Sequence, residues 1–294
     1  MGAVAFEELY DAAVAAQSSN DYRRLRKISG DMSALGAATG DRRVSAWGDY
    51  FLGLARFFNN ESAPADRALR RALSYFRESG DRLAAARTML NLAMIETEVN
   101  MNPGAARRYY EEAGPVIRES GDNVRLAILY GNLGEICRLE GDYEAALRNA
   151  RESLRLFEAI GDRGRVVWQL VNIAHYLLLR RETTAALEHM RRAYAALQLD
   201  GSAYWTTWYF DAWVIFAAKL ERWEAVAQLL GYVDKLRSDN SIPRTSGMMP
   251  WISLPMERLA TVFSQERLHE LFTEGEGLSV ETAQSLVGDI AASR

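Results

Sequence analysis

Ser120-Gly-Asp-Asn-Val-Arg-Leu-Ala-Ile-Leu-Tyr-Gly-Asn-Leu-Gly-Glu-Ile-Cys-Arg-Leu-Glu140, continued by Gly141-Asp-Tyr-Glu-Ala-Ala-Leu-Arg-Asn-Ala-Arg-Glu-Ser-Leu-Arg-Leu-Phe157, is the unit that the rest of the chain repeats. Apolar residues fall at helical spacing in both halves. Each Gly-Asp joins a stop to a start: glycine supplies the left-handed residue that ends one helix, and aspartate caps the open N–H groups of the next. The unit therefore reads as helix, tight turn, helix.

Outward from this unit the period is regular. Asp41, Asp81, Asp122 and Asp162 each follow a glycine, at steps of 40, 41 and 40 residues. A shared core phrase recurs as Met89-Leu-Asn-Leu-Ala93, Tyr130-Gly-Asn-Leu-Gly134 and Leu170-Val-Asn-Ile-Ala174. The second helices are alike too: Ala68 to Phe76, Ala146 to Phe157 and Ala185 to Ala193 are amphipathic, with small residues where a neighbour must approach. Internal repetition at this period is the mark of a solenoid. We read an all-α, right-handed superhelical solenoid of about six helix pairs, with repeats near 1–39, 40–79, 80–120, 121–160, 161–199 and 200–240. Residues 241–294 follow as a loop and a C-terminal helical cap. Within this frame Gly114-Pro115 is expected to kink its helix, because proline removes a backbone hydrogen bond. Residues 237–252, with their Ser, Asn, Pro and Gly, read as a loop, after which Pro255 suits a first helical turn. Ser279 is expected to cap the last helix.

Composition narrows the function classes. The chain of 294 residues is 49% hydrophobic and 25% charged, enough to bury a core. A formal charge of -4 and a pI near 5.6 argue against a dedicated nucleic-acid binder. One cysteine, Cys137, excludes an internal disulfide and fits a reducing compartment. There is no basic segment followed by an apolar core at the N-terminus, and no apolar run of about 20 residues. A cytoplasmic protein without a membrane partner is the expectation.

The phrase Tyr130-x2-Leu133-Gly134, then Gly141-Asp-Tyr143 and Ala146, resembles the tetratricopeptide repeat, whose consensus is about 34 residues long with a Trp-x2-Leu-Gly-x2-Tyr core. Here both helices are about a turn longer, Cys137 stands at the consensus Tyr, and Gly-Asp replaces the proline between repeats. The tail adds a narrower likeness. Arg258-Leu-Ala-Thr-Val-Phe263, Leu268 to Phe272 and Glu274-Gly-Glu-Gly-Leu-Ser-Val-Glu-Thr-Ala283 look like the end of the repeat regions in bacterial signal-transducing ATPases and LuxR-type transcription regulators. That resemblance implies partner or inducer sensing. The nucleotide-binding module of such proteins is not represented, because no Gly-x4-Gly-Lys-Ser/Thr loop occurs in the sequence.

In tetratricopeptide domains that bind peptides, the residue before the Leu of the core phrase faces the concave groove. Here it is Asn91, Asn132 and Asn172. An amide offers two donors and an acceptor, which matches a peptide backbone. The alternative is that these asparagines bridge adjacent helices. Residues four before and three after share their helix face, which adds Arg87, Glu135, Trp168 and His175, with Met94 and Ile128. In the fifth repeat that face carries Trp208 and Asp211. Six aromatics between Tyr204 and Trp213 cannot all lie on one stripe of a helix. Two functions fit. One is a non-catalytic scaffold binding a peptide or partner domain through the asparagines, with Trp168 and Trp208 as anchors. The other is a small-molecule inducer sensor built on the aromatic fifth repeat, regulating a linked ATPase or DNA-binding domain. His175, His189 and His269 sit on separate helices without metal-ligand spacing, and no nucleophile motif is present, so neither catalysis nor a cofactor is expected.

Overall fold

In the computed structural model, which describes residues 2–244 and 249–292, fifteen α-helices and no strand are present among the described residues. The helices follow from the turns. One non-terminal residue per turn takes a positive φ, at positions 20, 40, 60, 80, 101, 121, 141, 161, 181, 201, 221 and 241. The chain thus reverses every 20 or 21 residues, about 17 of them helical. Between repeats the left-handed residue is Gly40, Gly80, Gly121, Gly161 or Gly201, and Ser241 takes that place after the last pair. Inside repeats it is Asn20, Asn60, Met101, Gly141, Arg181 or Glu221. An L-residue pays no such penalty at ordinary helical φ, but about 1–2 kcal/mol in the left-handed region. The aspartates after the glycines cap as expected: Asp81 accepts from the Ala84 N–H at 3.0 Å, Asp142 from Ala145 at 2.9 Å and Asp162 from Arg165 at 2.9 Å.

The helices form two compact units, residues 1–140 and 141–294. The first holds α1 (Gly2–Ser18), α2 (Tyr22–Thr39), α3 (Arg42–Phe58), α4 (Ser62–Glu78), α5 (Arg82–Glu98), α6 (Pro103–Glu119) and α7 (Asn123–Leu139). Each helix packs on the next, and the odd-numbered helices also pack on one another: α1 on α3, α3 on α5, α5 on α7. The odd helices are therefore the inner layer. Ala68, Ala72, Ala106 and Ala113 are fully buried on α4 and α6, which lets the layers approach closely. Aromatic rings fill the first two hairpins, with Trp47 set against Tyr10 and Phe76, both at 4.9 Å.

The second unit holds α8 (Tyr143–Ile160), α9 (Arg163–Leu179), α10 (Thr183–Asp200), α11 (Ala203–Lys219) and α12 (Trp223–Asn240), followed by α13 (Met249–Val262), α14 (Gln265–Glu276) and α15 (Val280–Ala292). Here α9, α11 and α13 pack in sequence as the inner layer. The hairpin rhythm breaks at α13: the principal neighbour of α12 is α14. Two glycines make that crossing. A Cβ on Gly275 would stand 2.0 Å from the Gln228 carbonyl oxygen, and one on Gly231 would stand 2.2 Å from that of Phe272.

Helix α6 includes Pro115 in its interior and ends at Glu119, as the sequence suggested. Two local expectations change. The 237–252 loop is shorter, since α12 extends to Asn240 and α13 begins at Met249; within it, residues 245–248 lie outside the described residues. Pro255 is the seventh residue of α13 and not part of its first turn. Ser279 does cap α15, accepting from the Thr282 N–H at 3.2 Å.

Candidate ligand-binding faces

In the first unit Asn91 on α5 and Asn132 on α7 occupy equivalent positions of two inner helices that pack together. Asn91 is half-buried and Asn132 only 8% exposed. The side-chain nitrogen of each is buried without a hydrogen-bond partner in the protein. An amide N–H left in this state costs about 1–3 kcal/mol, so two donors of the inner face are held ready for an acceptor.

Around Asn132 lies a polar group that the core phrase does not point to. Glu98, seven residues after Asn91 and so on the same face of α5, is half-buried and has no hydrogen bond or ion pair. Burial, and then the neighbouring Glu135 carboxylate, push its carboxyl up to about 8. Tyr110 of α6, 2% exposed, points its hydroxyl toward Thr97, Asn132 and Glu98, and burial raises its pKa strongly. The Tyr110 hydroxyl and the Asn132 amide feel each other but do not reach hydrogen-bond geometry. The i, i+7 spacing from Asn91 was the signal that could have found Glu98 in the sequence.

The other expected ligand residues of this unit are engaged. Arg87 donates to the Asp122 carboxylate at 2.9 Å and lies 3.4 Å from the Tyr10 hydroxyl. Asp122 is itself the cap of α7 and also pairs with Arg125 at 3.0 Å. Burial opposes its ionisation, but Arg125 and Arg87 hold its carboxyl below the usual range. Arg87 is thus a brace between repeats and not a free groove cation. Glu135 is bound by Arg138 three residues on, with Nε at 2.8 Å.

The second unit differs more from expectation. Asn172 is half-buried on α9. His175 carries the Trp251 ring of α13 edge-on at 4.2 Å, so α13 covers it. Asp211 is fully buried and ion-paired with Arg237 and, at 3.5 Å, Arg244; Arg244 also meets Asp234 at 2.8 Å. Burial raises the Asp211 carboxyl while the two guanidiniums pull it down. Its role is to tie the exit of α12 to α11, with Arg237 also donating to the Pro243 carbonyl at 2.9 Å. Trp168 packs toward Phe157 at 6.3 Å, and Trp208 is half-buried on α11. The remaining rings of α11 are largely core: Tyr209, Phe210 and Trp213 are buried, and Trp205 seals α11 against Gly164, where any Cβ would lie 1.9 Å from its indole nitrogen. Among the described residues no three His, Cys, Asp or Glu side chains converge as a metal site would need. No described helix is long and apolar enough to cross a membrane.

The family model of the tetratricopeptide repeat matches residues 101–159 and 125–199. Over residues 101–199 the repeats are similar to tetratricopeptide repeats. Among solved structures, a Rap protein complexed with competence and sporulation factor matches over 100% of this chain and 78% of its own, with a TM-score of 0.70 and 13% identity. The Rap conjugation gene regulator of the plasmid pLS20, in complex with the Phr* peptide, matches over 93% of this chain and 77% of its own, at 0.59 and 13%. The apo form of RapI covers 87% of this chain and 98% of its own, at 0.57 and 11%. At these identities the likeness is one of fold. No curated protein sequence matches the chain.

Proposed function

We propose that the chain is a non-catalytic interaction scaffold that captures an extended peptide on the inner face of its first unit, as part of bacterial regulation. The observation that carries this reading is the pair of buried, unpartnered amide donors of Asn91 and Asn132 on adjacent inner helices. Peptide carbonyls are the acceptors that match them, and an extended backbone presents such groups regularly. That structures with this fold hold the Phr* peptide and the competence and sporulation factor supports the same reading. Asn172 is left as a secondary position, since its neighbours His175 and Asp211 are engaged within the chain. Attachment to a signalling ATPase or LuxR-type regulator, which the tail resembles, is the context we propose. The inducer-sensor reading has less support, because most rings of α11 are spent on packing.

The test is retention of randomised hexapeptide pools on the immobilised chain, read by mass spectrometry. Asn91→Ala combined with Asn132→Ala is expected to lower retention at least tenfold with little change in melting, whereas Asn172→Ala leaves it within about twofold. A melting temperature that collapses in the double variant would show that these asparagines are structural braces and sink the reading.

A further inference from the structure

The first unit holds one charge-capable group that neither the fold nor the asparagine pair explains. Glu98 sits at the last turn of α5, half-buried, with no cation near it. Buried carboxylates are nearly always paired, because desolvation without a counter-charge is costly. Elsewhere in this unit the rule holds: Asp122 has Arg87 and Arg125, Glu135 has Arg138, Glu96 has Arg70 at 3.5 Å, and Asp49 has Arg71. Glu98 is the exception, on the face where Asn132 leaves an amide donor unused at 8% exposure. The groups facing it are Glu135, already matched by Arg138 on α7, and the Tyr110 hydroxyl on α6; α3 and α4 add no charge to that carboxyl. The local field is therefore net negative, walled by a phenol, and short of one positive charge.

Resting on the peptide reading above, we infer that Glu98 is the receptor for a cationic group of the ligand, a guanidinium or an ammonium. The cation forms the ion pair that the protein withholds, and Tyr110 offers an acceptor hydroxyl beside it. Asn132 takes the neighbouring backbone carbonyl. A guanidinium fits best, because its planar donors can reach the carboxylate and the phenol oxygen together. Binding displaces the proton that burial keeps on Glu98, so the preference for a cation is stronger at pH 8.5 than at pH 6. Asn91, about two turns toward the start of α5, keeps the chain direction.

The experiment uses the full chain and two sets of hexapeptide pools, one with arginine fixed at each position in turn and one with citrulline, its uncharged isostere. Wild type is expected to enrich at least one arginine pool about tenfold or more over the matching citrulline pool. Glu98→Gln, which keeps the shape and the neutral form the fold already favours, should still retain peptides but lose that preference. Equal retention of arginine and citrulline pools by wild type would overturn the inference and leave the peptide reading standing. Retention of no pool at all would remove the peptide reading. In that case titration with N-acetyl-arginine amide decides: a thermal shift absent in Glu98→Gln and absent with the citrulline amide upholds the cation site, and no shift in wild type ends it.

Discussion

The inner faces of the two units treat buried polarity in opposite ways. In the second unit the buried acid is neutralised by the chain itself, Asp211 by Arg237 and Arg244, and His175 is covered by Trp251 of α13 although its Nε2 meets no hydrogen-bond partner. In the first unit the amide nitrogens of Asn91 and Asn132 and the Glu98 carboxyl are left without partners, while Arg87 and Arg138 are engaged by Asp122 and Glu135. The same repeat, built on the same core phrase, therefore closes its buried acid with guanidiniums in the second unit and leaves Glu98 and two core-phrase amides unmet in the first. The difference teaches that a residue's place in a repeat sets which way it faces, and the elements around it set whether it is available.

The largest way to break this contrast is to remove the charge that holds the second unit. Asp211→Ala leaves two guanidiniums buried or nearly so around an empty site. Losing one partner of a buried pair costs about 3–5 kcal/mol. Chemical denaturation should show the transition of the second unit displaced by that amount, whereas Asn132→Ala in the first unit moves its transition by less than about 1 kcal/mol. Comparable losses from the two changes would erase the distinction between the faces.

Next in size is the crossing that replaces the hairpin rhythm at the end of the second unit. Gly275→Ala puts a methyl within 2.0 Å of a backbone oxygen on α12, and backbone cannot rotate away as a side chain can. Overpacking of this kind costs about 1–3 kcal/mol. Protease nicking within α14 should rise in this variant and not in Gly288→Ala, where the added Cβ meets nothing within 4 Å.

How much of this could be read beforehand follows from what kind of signal each feature leaves. The all-helical repeat was legible because a turn glycine and a capping aspartate recur as a pair in one dimension, from Gly40-Asp41 to Gly161-Asp162. Three of the turns were less legible, since Met101, Arg181 and Glu221 adopt the left-handed conformation with no composition cue. The asparagine positions were legible from the core phrase, but the engagement of Arg87 was not. Its partner Asp122 is 35 residues away, and the pairing exists only once the repeats stack. The covering of His175 by Trp251 depends on α13 leaving the rhythm, and no local pattern announces where a rhythm is abandoned. Glu98 lies beyond the core phrase, seven residues past Asn91, where the same helix face continues two turns further on.

Glu98 also gives the contrast a pH axis. Its folded pKa of about 8 stands above the ordinary glutamate value of 4.5. Between those values the unfolded chain has released the proton and the folded chain has kept it, so the folded state binds more protons and stability falls as pH rises. The contribution is whole below pH 4.5 and is lost on passing pH 8. Glu98→Gln cannot titrate, so its melting temperature should decline less than that of wild type between pH 5 and pH 8.5. Equal slopes would mean that Glu98 is already ionised and solvated in the fold.

The smallest effect concerns a buried amide that no ligand argument claims. Gln169, on α9 of the second unit, is fully buried, and neither its side-chain nitrogen nor its oxygen has a partner in the protein. It lies three residues before Asn172, about one helical turn away, and unlike the half-buried Asn172 it is fully enclosed. If unmet polarity were a general feature of this fold, the contrast between the units would weaken; if Gln169 is a plain packing fault, the contrast stands. Gln169→Met separates the two, because methionine keeps the length and removes both polar groups. Relief of an unsatisfied buried amide is worth about 1 kcal/mol or somewhat more. The variant should therefore melt a few degrees higher and retain the hexapeptide pools unchanged. A loss of peptide retention on this substitution would place a second receptive face on α9, and the division of labour between the units would have to be redrawn around it.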